Sequence, residues 1–417
     1  MKILIMAQHY APEDVSGAVL GTELATDLVK RGYQVTFLTC APNYPLGKVY
    51  PGYKNKIFSI ETIDGVRVIR VWSFISTKSF WRRIFNYGTF SISAFWGGLF
   101  SGKHDLILSF SPPLPLGASA WLLSRIQKTP WIVNVMDIYP EIAVISGILK
   151  NPIAIKIFTE LEKFIYHQSS HIQVLSEGFK NNLLKKGVPP EKISIIPVWA
   201  DPDLIYPEIK CNSFSKKYNL DEKFVILYSG NLGVNTSLED LIIAANYLKS
   251  EKDIYFVFVG EGTKKEELIT QTKLNMLDNV LFLPFQPRNQ FNLILASASI
   301  SIVTLSANAH FTSLPSKTFN IMASNRPILA VTPFESEIAH LIQKYSCGIV
   351  IPPGNPKYLS EAILSLKSNP AKLDQMGNNG RQNLIEYYSR NQCVDLYEKS
   401  FLQVLDCKPL PNFKGVK

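Results

Sequence analysis

Lys317 stands in "SLPSKTFNIMASNRPILAV", residues 313–331, where a loop through Pro315 gives way to a helical pattern opening at Ser316. A helix start already exposes unpaired N–H groups and partial positive charge, so a carboxylate is the side chain favoured there. A lysine at that place makes sense if an anion, most often a phosphate, arrives from outside. The competing reading is a solvated lysine one residue past a serine cap. Three glycine-bearing turns follow apolar runs: "EDVSGAVLG" with Gly17, "SGNLG" with Gly230, Asn231 and Gly233, and "VGEG" with Gly260, Glu261 and Gly262. Glycine in such a turn lets backbone N–H groups approach a phosphate with no Cβ in the way, and it equally serves plain turn geometry. None of the three matches G-x-G-x-x-G or G-x-x-x-x-G-K-[ST], so a nicotinamide dehydrogenase and a P-loop NTPase both lose support.

In "VNVMDIYPEIA", Asp137 and Glu141 come just after an apolar run. Carboxylates at the carboxyl end of a strand can hold sugar hydroxyls or exchange a proton, and they can also cap the helix that follows. His9 ends the first apolar run and is read as pointing toward the same place. No G-x-S-x-G elbow, H-E-x-x-H pair or cluster of metal ligands occurs, so no metal is expected.

The elements that must position these residues alternate regularly. In the first half the strand-like runs are "KILIMAQ", "QVTFLT", "VRVIRV", "LILSF", "WIVNV", "HIQVLS" and "ISIIPV"; the second half has "FVILYSG", "IYFVFVG", "VLFLPF", "ISIVTL", "PILAV" and "GIVIP". Runs this apolar suit strands covered on both faces by helices. Between the first two lies a helical pattern with Leu20, Leu24 and Leu28 on one face, basic Lys30 and Arg31 near its end, and Gly32 as a stop. The first helix of the second half is expected to open with a capping box from Thr236 to Glu239 and to bury Leu238, Leu241, Ala245 and Leu248. The fold class is α/β, with two doubly wound Rossmann-like domains facing across a cleft. The first is expected over 1–200 and the second over 201–384, with the polar, proline-rich stretch 199–220 as linker and a terminal helix, 385–417, packing back on the first domain.

A chain of 417 residues is too long for a single core, and 46% apolar content marks it as globular. The net charge of +9 suits anionic small substrates or an anionic membrane surface. No basic block with interleaved aromatics and no zinc-finger spacing speaks for nucleic acid. Five scattered cysteines, Cys40, Cys211, Cys347, Cys393 and Cys407, read as reduced residues of a cytoplasmic protein, and the first strand begins without a signal-like segment. One stretch departs from the alternation: "IFNYGTFSISAFWGGLF", residues 84–100, carries no charge and follows Arg82 and Arg83. Its three glycines, one asparagine and two serines make it marginal as a span. It is either a helix dipping into the headgroups of an anionic bilayer or an apolar helix packed on the sheet.

The order "YAPEDVSGAVLGTELATDLVKRGYQVTFLT", "DIYPE", "HIQVLSEGFKNNLLKKGVPPEKISIIPVWAD", "LYSGNLG", "FVFVGEG" and "PSKTFNIMASNRPILA" resembles glycosyltransferase family 4, most closely the branch that builds bacterial exopolysaccharide, O-antigen and colanic acid. The resemblance implies the GT-B fold and a metal-independent, retaining transfer of sugar from a UDP- or GDP-linked donor to a lipid-linked saccharide, with no cofactor, at the inner face of the plasma membrane. Carried over residue by residue, it implies that Gly17 lies beneath the diphosphate and that Asp137 meets the donor sugar. It likewise places Gly230, Asn231 and Gly233 at the donor phosphates and Gly260, Glu261 and Gly262 along the nucleotide pocket. Lys317 with Ser316 would meet the diphosphate, while His9 and Glu141 would stand on the acceptor side. The pattern also departs from the family. Asn231 stands where many members have a phosphate-gripping arginine, and Thr312 and Asn320 stand where many have paired glutamates; Glu335 or Glu337 could supply a carboxylate instead. A nucleotide-sugar 2-epimerase of the same fold, and a non-catalytic sugar-nucleotide-binding component, remain alternatives.

Overall fold

The computed structural model describes residues 1–76, 80–234, 236–306 and 315–406; Thr312 and Cys407 therefore lie outside the described residues. The chain divides into two compact units, one formed by Met1–Pro197 with the chain's return from Cys393, the other by Val198–Gln392.

The first unit is built on eight strands: β1 (Lys2–Met6), β2 (Gln34–Cys40), β3 (Phe58–Ile63), β4 (Val66–Val71), β5 (Leu106–Ser111), β6 (Trp131–Val135), β7 (His171–Val174) and β8 (Ile193–Ile195). Their order in the sheet is β3-β4-β2-β1-β5-β6-β7-β8. All seven apolar runs of the first half form strands, and the parallel pairs β1–β2 and β1–β5 lie at the sheet centre. β3, which is not among those runs, pairs antiparallel with β4. It is an edge strand of alternating exposure, "FSIETI", so it carries no apolar run to announce it. The helix Ser16–Lys30 buries Leu20, Leu24 and Leu28 as expected and stops at Gly32, which takes φ +88°.

The second unit carries β9 (Phe224–Ser229), β10 (Ile254–Val259), β11 (Val280–Leu283), β12 (Ile300–Thr304), β13 (Ile328–Val331) and β14 (Gly348–Ile351), in the order β11-β10-β9-β12-β13-β14. Its neighbouring strands are parallel throughout. The expected capping box is absent. The helix Leu238–Tyr247 starts after Ser237 without a side-chain cap. Thr236 instead donates to the Gly233 carbonyl at 2.6 Å, and Glu239 pairs with Lys264.

The stretch expected as a linker is part of the second unit. Asn212 and Ser215 form a capping box on a short helix, Ser213–Lys217, and Phe214 and Leu220 are buried. Arg381 holds this stretch by donating to the carbonyls of Ile205 at 2.9 Å and Pro202 at 3.2 Å. Polar composition suggested a tether; its polar groups are spent on hydrogen bonds to the unit beneath.

The apolar helix Phe80–Phe100 begins four residues before the uncharged run. Its inner face packs so closely that a Cβ at Gly97 would lie 2.6 Å from Val71 Cγ1 of the sheet, and one at Gly98 would lie 2.5 Å from Leu123 Cδ2 of the helix Pro115–Gln127. Phe90 and Ala94 are buried on that side, and buried Asn86 accepts from Gln8 Nε2 at 2.5 Å. Trp81, Phe85, Ile92, Trp96 and Phe100, spaced so as to share the opposite face, are 52% to 70% exposed. The packed-helix reading thus holds for one face, and the opposite face is apolar and exposed.

The terminal helix Arg390–Asp406 buries Cys393, Val394, Tyr397 and Phe401 against the first unit. Asn134 Nδ2 donates to the Tyr397 hydroxyl at 2.5 Å, Gln173 Nε2 to Ser400 Oγ at 3.1 Å, and Arg31 pairs with Glu398 at 2.8 Å. Phe401→Ala is expected to cost the first unit about 3–5 kcal/mol, whereas Glu398→Gln, at a half-exposed pair, should cost less than about 1 kcal/mol. Denaturant unfolding of the two variants measures the difference, and an unchanged midpoint for Phe401→Ala would remove this helix from the core.

Candidate active site

In each sheet the chain reverses its direction of strand addition once. The first switch lies between β1 and β5 and the second between β9 and β12. Crevices outside the carboxyl ends of strands at such points are where open α/β sheets bind ligands.

At the switch of the second unit, β9 ends at Ser229 and the chain turns through Gly230 with φ +143°. A Cβ on Gly230 would stand 2.8 Å from Lys317 Nζ, so the missing side chain is what makes room for the ammonium. The ammonium rests 3.8 Å from the ring centroid of Tyr228, a cation–π contact, and the Tyr228 hydroxyl donates to the Asn231 carbonyl at 2.7 Å. Among the described residues no carboxylate pairs with Lys317. Removal from water lowers its proton affinity from 10.5 to about 7. A small cavity of about 10 Å³ beside it, room for about one water, is lined by Ser229, Phe291, Ser301 and Asn320, and the buried hydroxyls of Ser301 and Thr318 have no partner among the described residues. Tyr228, the ring that seats the ammonium, gives no signal in the sequence because a tyrosine inside an apolar strand looks like core.

The helix behind the lysine, Lys317–Ala323, is short, and Ser316 precedes it in helical conformation without capping it. The N–H groups of Thr318 and Phe319 already bond to the carbonyls of Pro315 and Ser316 at 3.1 Å each. The expectation that a row of helix N–H groups stands free beside Lys317 therefore does not hold for Thr318 and Phe319.

The other glycines of the second unit have a packing function. A Cβ on Gly260 would lie 1.9 Å from the Gly230 carbonyl oxygen, and one on Gly262 would lie 2.2 Å from that of Leu232. These two loops are laced together by Leu232 N–H to Glu261 O and Lys264 N–H to Leu232 O, both 2.9 Å. Gly260 and Gly262 are thus required where one backbone crosses another, and they hold the "SGNLG" turn over Lys317. The Glu261 side chain pairs with Lys265 at 2.7 Å, Asn231 is exposed, and Gly233 is buried, where a Cβ would meet Asn231 Nδ2 at 2.9 Å. Glu337 opens the helix Glu337–Tyr345, whose cap is Ser336.

In the first unit, Gly17 occupies the first turn of the helix Ser16–Lys30, with nothing within 4 Å of where its Cβ would be. Asp137 follows β6, half-buried; removal from water raises its carboxyl from 3.8 to about 7, and its charge is felt by Tyr87 and Tyr139, as is that of Arg83. Glu141 is drawn into a structural network: Lys186 at 3.0 Å, Asn182 at 2.9 Å, with Lys186 also bonding to buried Glu162 at 2.7 Å. Its expected place on the acceptor side thus competes with an ion pair the sequence does not reveal. His9 bonds to Glu13, a buried carboxylate that no motif in the sequence marks. Among the described residues no three His, Cys, Asp or Glu side chains gather as metal ligands.

Two pH effects follow. Because the unliganded Lys317 titrates at about 7 rather than 10.5, inorganic diphosphate should bind progressively more weakly as pH rises through that window, and Lys317→Met should flatten the dependence. In the same window the unfolded chain holds the extra proton, so this group's contribution to stability rises with pH. For Asp137 the sign reverses: its contribution is complete below about 4 and is lost as pH rises through about 7, and Asp137→Asn should remove that loss from a pH series of melts. Diphosphate titrations with the same pH slope in wild type and Lys317→Met would take the ammonium out of the site.

Residues 18–199 match the family described as "Glycosyl transferase 4-like domain", and residues 212–383 match "Glycosyl transferases group 1". The chain is 25% identical over 360 residues, 84% of its length and 88% of the relative's, to the protein of Escherichia coli (strain K12) named for colanic acid biosynthesis, the glycosyl transferase WcaI. It is 27% identical over 263 residues, 63% of its length and 66% of the relative's, to a protein of Pseudomonas aeruginosa named as the glycosyltransferase WbjE. Among solved structures it is similar to the sucrose-phosphate synthase of Thermosynechococcus elongatus, with a TM-score of 0.76 at 17% identity over 97% of this chain and 99% of that one. It is also similar to Anabaena HepE solved with UDP-glucose, with a TM-score of 0.70 at 14% identity over 97% and 100% of the two chains. With two parallel α/β units, a match to the family in each, and a shared architecture with these structures, the chain belongs to the family 4 glycosyltransferases of the GT-B fold.

Proposed function

We propose that this glycosyltransferase moves a sugar from a UDP- or GDP-linked donor to a lipid-linked saccharide in the building of a cell-surface polysaccharide, with retention at the anomeric carbon and without a metal. The observation that carries the reading is Lys317: a dehydrated ammonium, unpaired among the described residues, held at a strand switch by Tyr228 and the bare backbone of Gly230. Such an arrangement is costly until an anion arrives. A departing nucleoside diphosphate gains charge as the glycosidic bond breaks, so the ammonium stabilises the transition state more than the bound donor. The UDP-glucose held by the structurally similar HepE supports a nucleotide sugar as the donor, and the names of the relatives support polysaccharide synthesis. Asp137, in this reading, receives hydroxyls of the donor sugar, its carboxyl able to donate while still protonated near neutral pH.

The site of action in this reading is the inner face of the plasma membrane. Among the described residues no helix is long and apolar enough to cross a membrane. The outer face of Phe80–Phe100 nevertheless exposes two tryptophans, two phenylalanines and an isoleucine in one stripe, which suits shallow burial among lipid headgroups. The net charge of +9 adds attraction to anionic lipid.

Purified protein incubated with a panel of UDP- and GDP-sugars, with and without lipid extract, should release nucleotide only when lipid is present and carry sugar into the lipid phase. Conversion of donor without lipid would favour an epimerase, and binding without release under every condition a non-catalytic component. Lys317→Ala should lower turnover about 100-fold or more without lowering the melting temperature, because the charge it removes is costly to bury in the unliganded fold. In flotation with anionic vesicles, Trp96→Ser with Phe100→Ser should weaken partition at least about fivefold. Equal flotation of variant and wild type would remove the aromatic stripe as the anchor.

A further inference from the structure

Glu13 is 3% exposed, yet it accepts three hydrogen bonds, all within one small cluster. Its Oε1 accepts from the backbone N–H groups of Asn43 and Tyr44, both at 2.7 Å, and its Oε2 lies 2.9 Å from Nδ1 of His9. Burial by itself would raise this carboxyl, but the His9 hydrogen bond, the His9 charge and the two N–H groups outweigh it and hold the carboxyl below its usual range. The cluster sits just beyond β1, at the switch between β1 and β5. The imidazole edge rests on Tyr44, with ring centroids 5.6 Å apart, and the His9 side chain stays 27% exposed. No described residue bonds to its Nε2.

An ionised carboxylate can only accept, so the neutral imidazole must carry its hydrogen on Nδ1, and Nε2 is left as an acceptor. An acceptor nitrogen has no use for the diphosphate of a sugar nucleotide, which carries no hydrogen near neutral pH; it takes an O–H. We infer that His9 presents Nε2 to a hydroxyl of the bound saccharide, and that Glu13 is the positioning residue that fixes the tautomer and ring orientation this requires. The inference rests on the reading of the protein as a sugar transferase and adds to it the group that holds a sugar hydroxyl at the first unit's switch. Glu13 anchors the loop after β2 with one oxygen and orients His9 with the other, so loop and ring move together.

Glu13→Gln tests this because its outcome is chemically asymmetric. The amide oxygen must stay on the Asn43 and Tyr44 N–H groups, which turns the amide NH₂ toward Nδ1 and drives the ring hydrogen to Nε2. The expected result is a reversed tautomer in the ¹⁵N spectrum of histidine-labelled protein, an unchanged melt, and a fall in kcat/KM of roughly 100-fold or more. His9→Phe, which keeps a ring against Tyr44, should lose as much and serves if the glutamine variant does not fold. Wild-type protein protonated on Nε2, or either variant within about threefold of wild-type kcat/KM, would overturn the assignment. If no donor and acceptor pair supports turnover, the transferase reading fails on its own. UDP-glucose and free glucose titrated onto the labelled wild-type protein then decide the subsite: a shift of the His9 Nε2 resonance supports it, and none with either overturns it.

Discussion

A positive charge kept out of water with no negative partner is the constraint around which the second unit is arranged. Lys317 is half-buried on the face of Tyr228, in space that exists only because Gly230 has no side chain. Gly230 in turn can hold its positive φ and its position because Gly260 lets the next loop pass directly beneath its carbonyl. Three residue choices that look unrelated along the chain are thus consequences of one need, which is to seat an ammonium at the end of β9 without neutralising it. A salt bridge there would stabilise the unliganded fold and weaken the site's demand for an anion.

The first unit handles charge in the opposite manner. Buried Glu13 accepts three hydrogen bonds, and the buried pair of Glu162 with Lys186 is completed by Glu141. Glu13, Glu141 and Glu162 there are hydrogen-bonded or paired, whereas Asp137 is pushed toward the neutral form. Neutral and hydrogen-bonded groups suit polyhydroxylated ligands, whereas a bare cation suits a diphosphate.

Much of this is legible in the order of residues. The strands read directly because a run apolar enough for two covered faces has few other uses, and all thirteen such runs form strands. Lys317 stands out because its charge opposes its local setting. Side chains whose meaning depends on a distant partner are not legible. Glu13 is one acidic residue in a loop until Asn43 and Tyr44, thirty residues on, arrive to bind it. Glu141 reads as a ligand-facing carboxylate because nothing local hints at Lys186, and the capping box from Thr236 fails because Lys264 claims Glu239.

By itself, then, the sequence determined the apolar strands and the helix Ser16–Lys30, the α/β class, the family, and that a lysine opens a helix where its charge opposes the local setting. Those follow from local periodicity and from motifs that are contiguous in the chain. Only the tertiary structure decided what each polar group faces: that Gly260 and Gly262 serve a backbone crossing, that the helix Phe80–Phe100 hides one face and exposes the other, that the polar stretch after residue 198 is bound to its unit, and that His9 is oriented by Glu13. A side chain's charge state and hydrogen-bonding direction are set by burial and by partners brought in from far along the chain, and spacing along a sequence encodes neither.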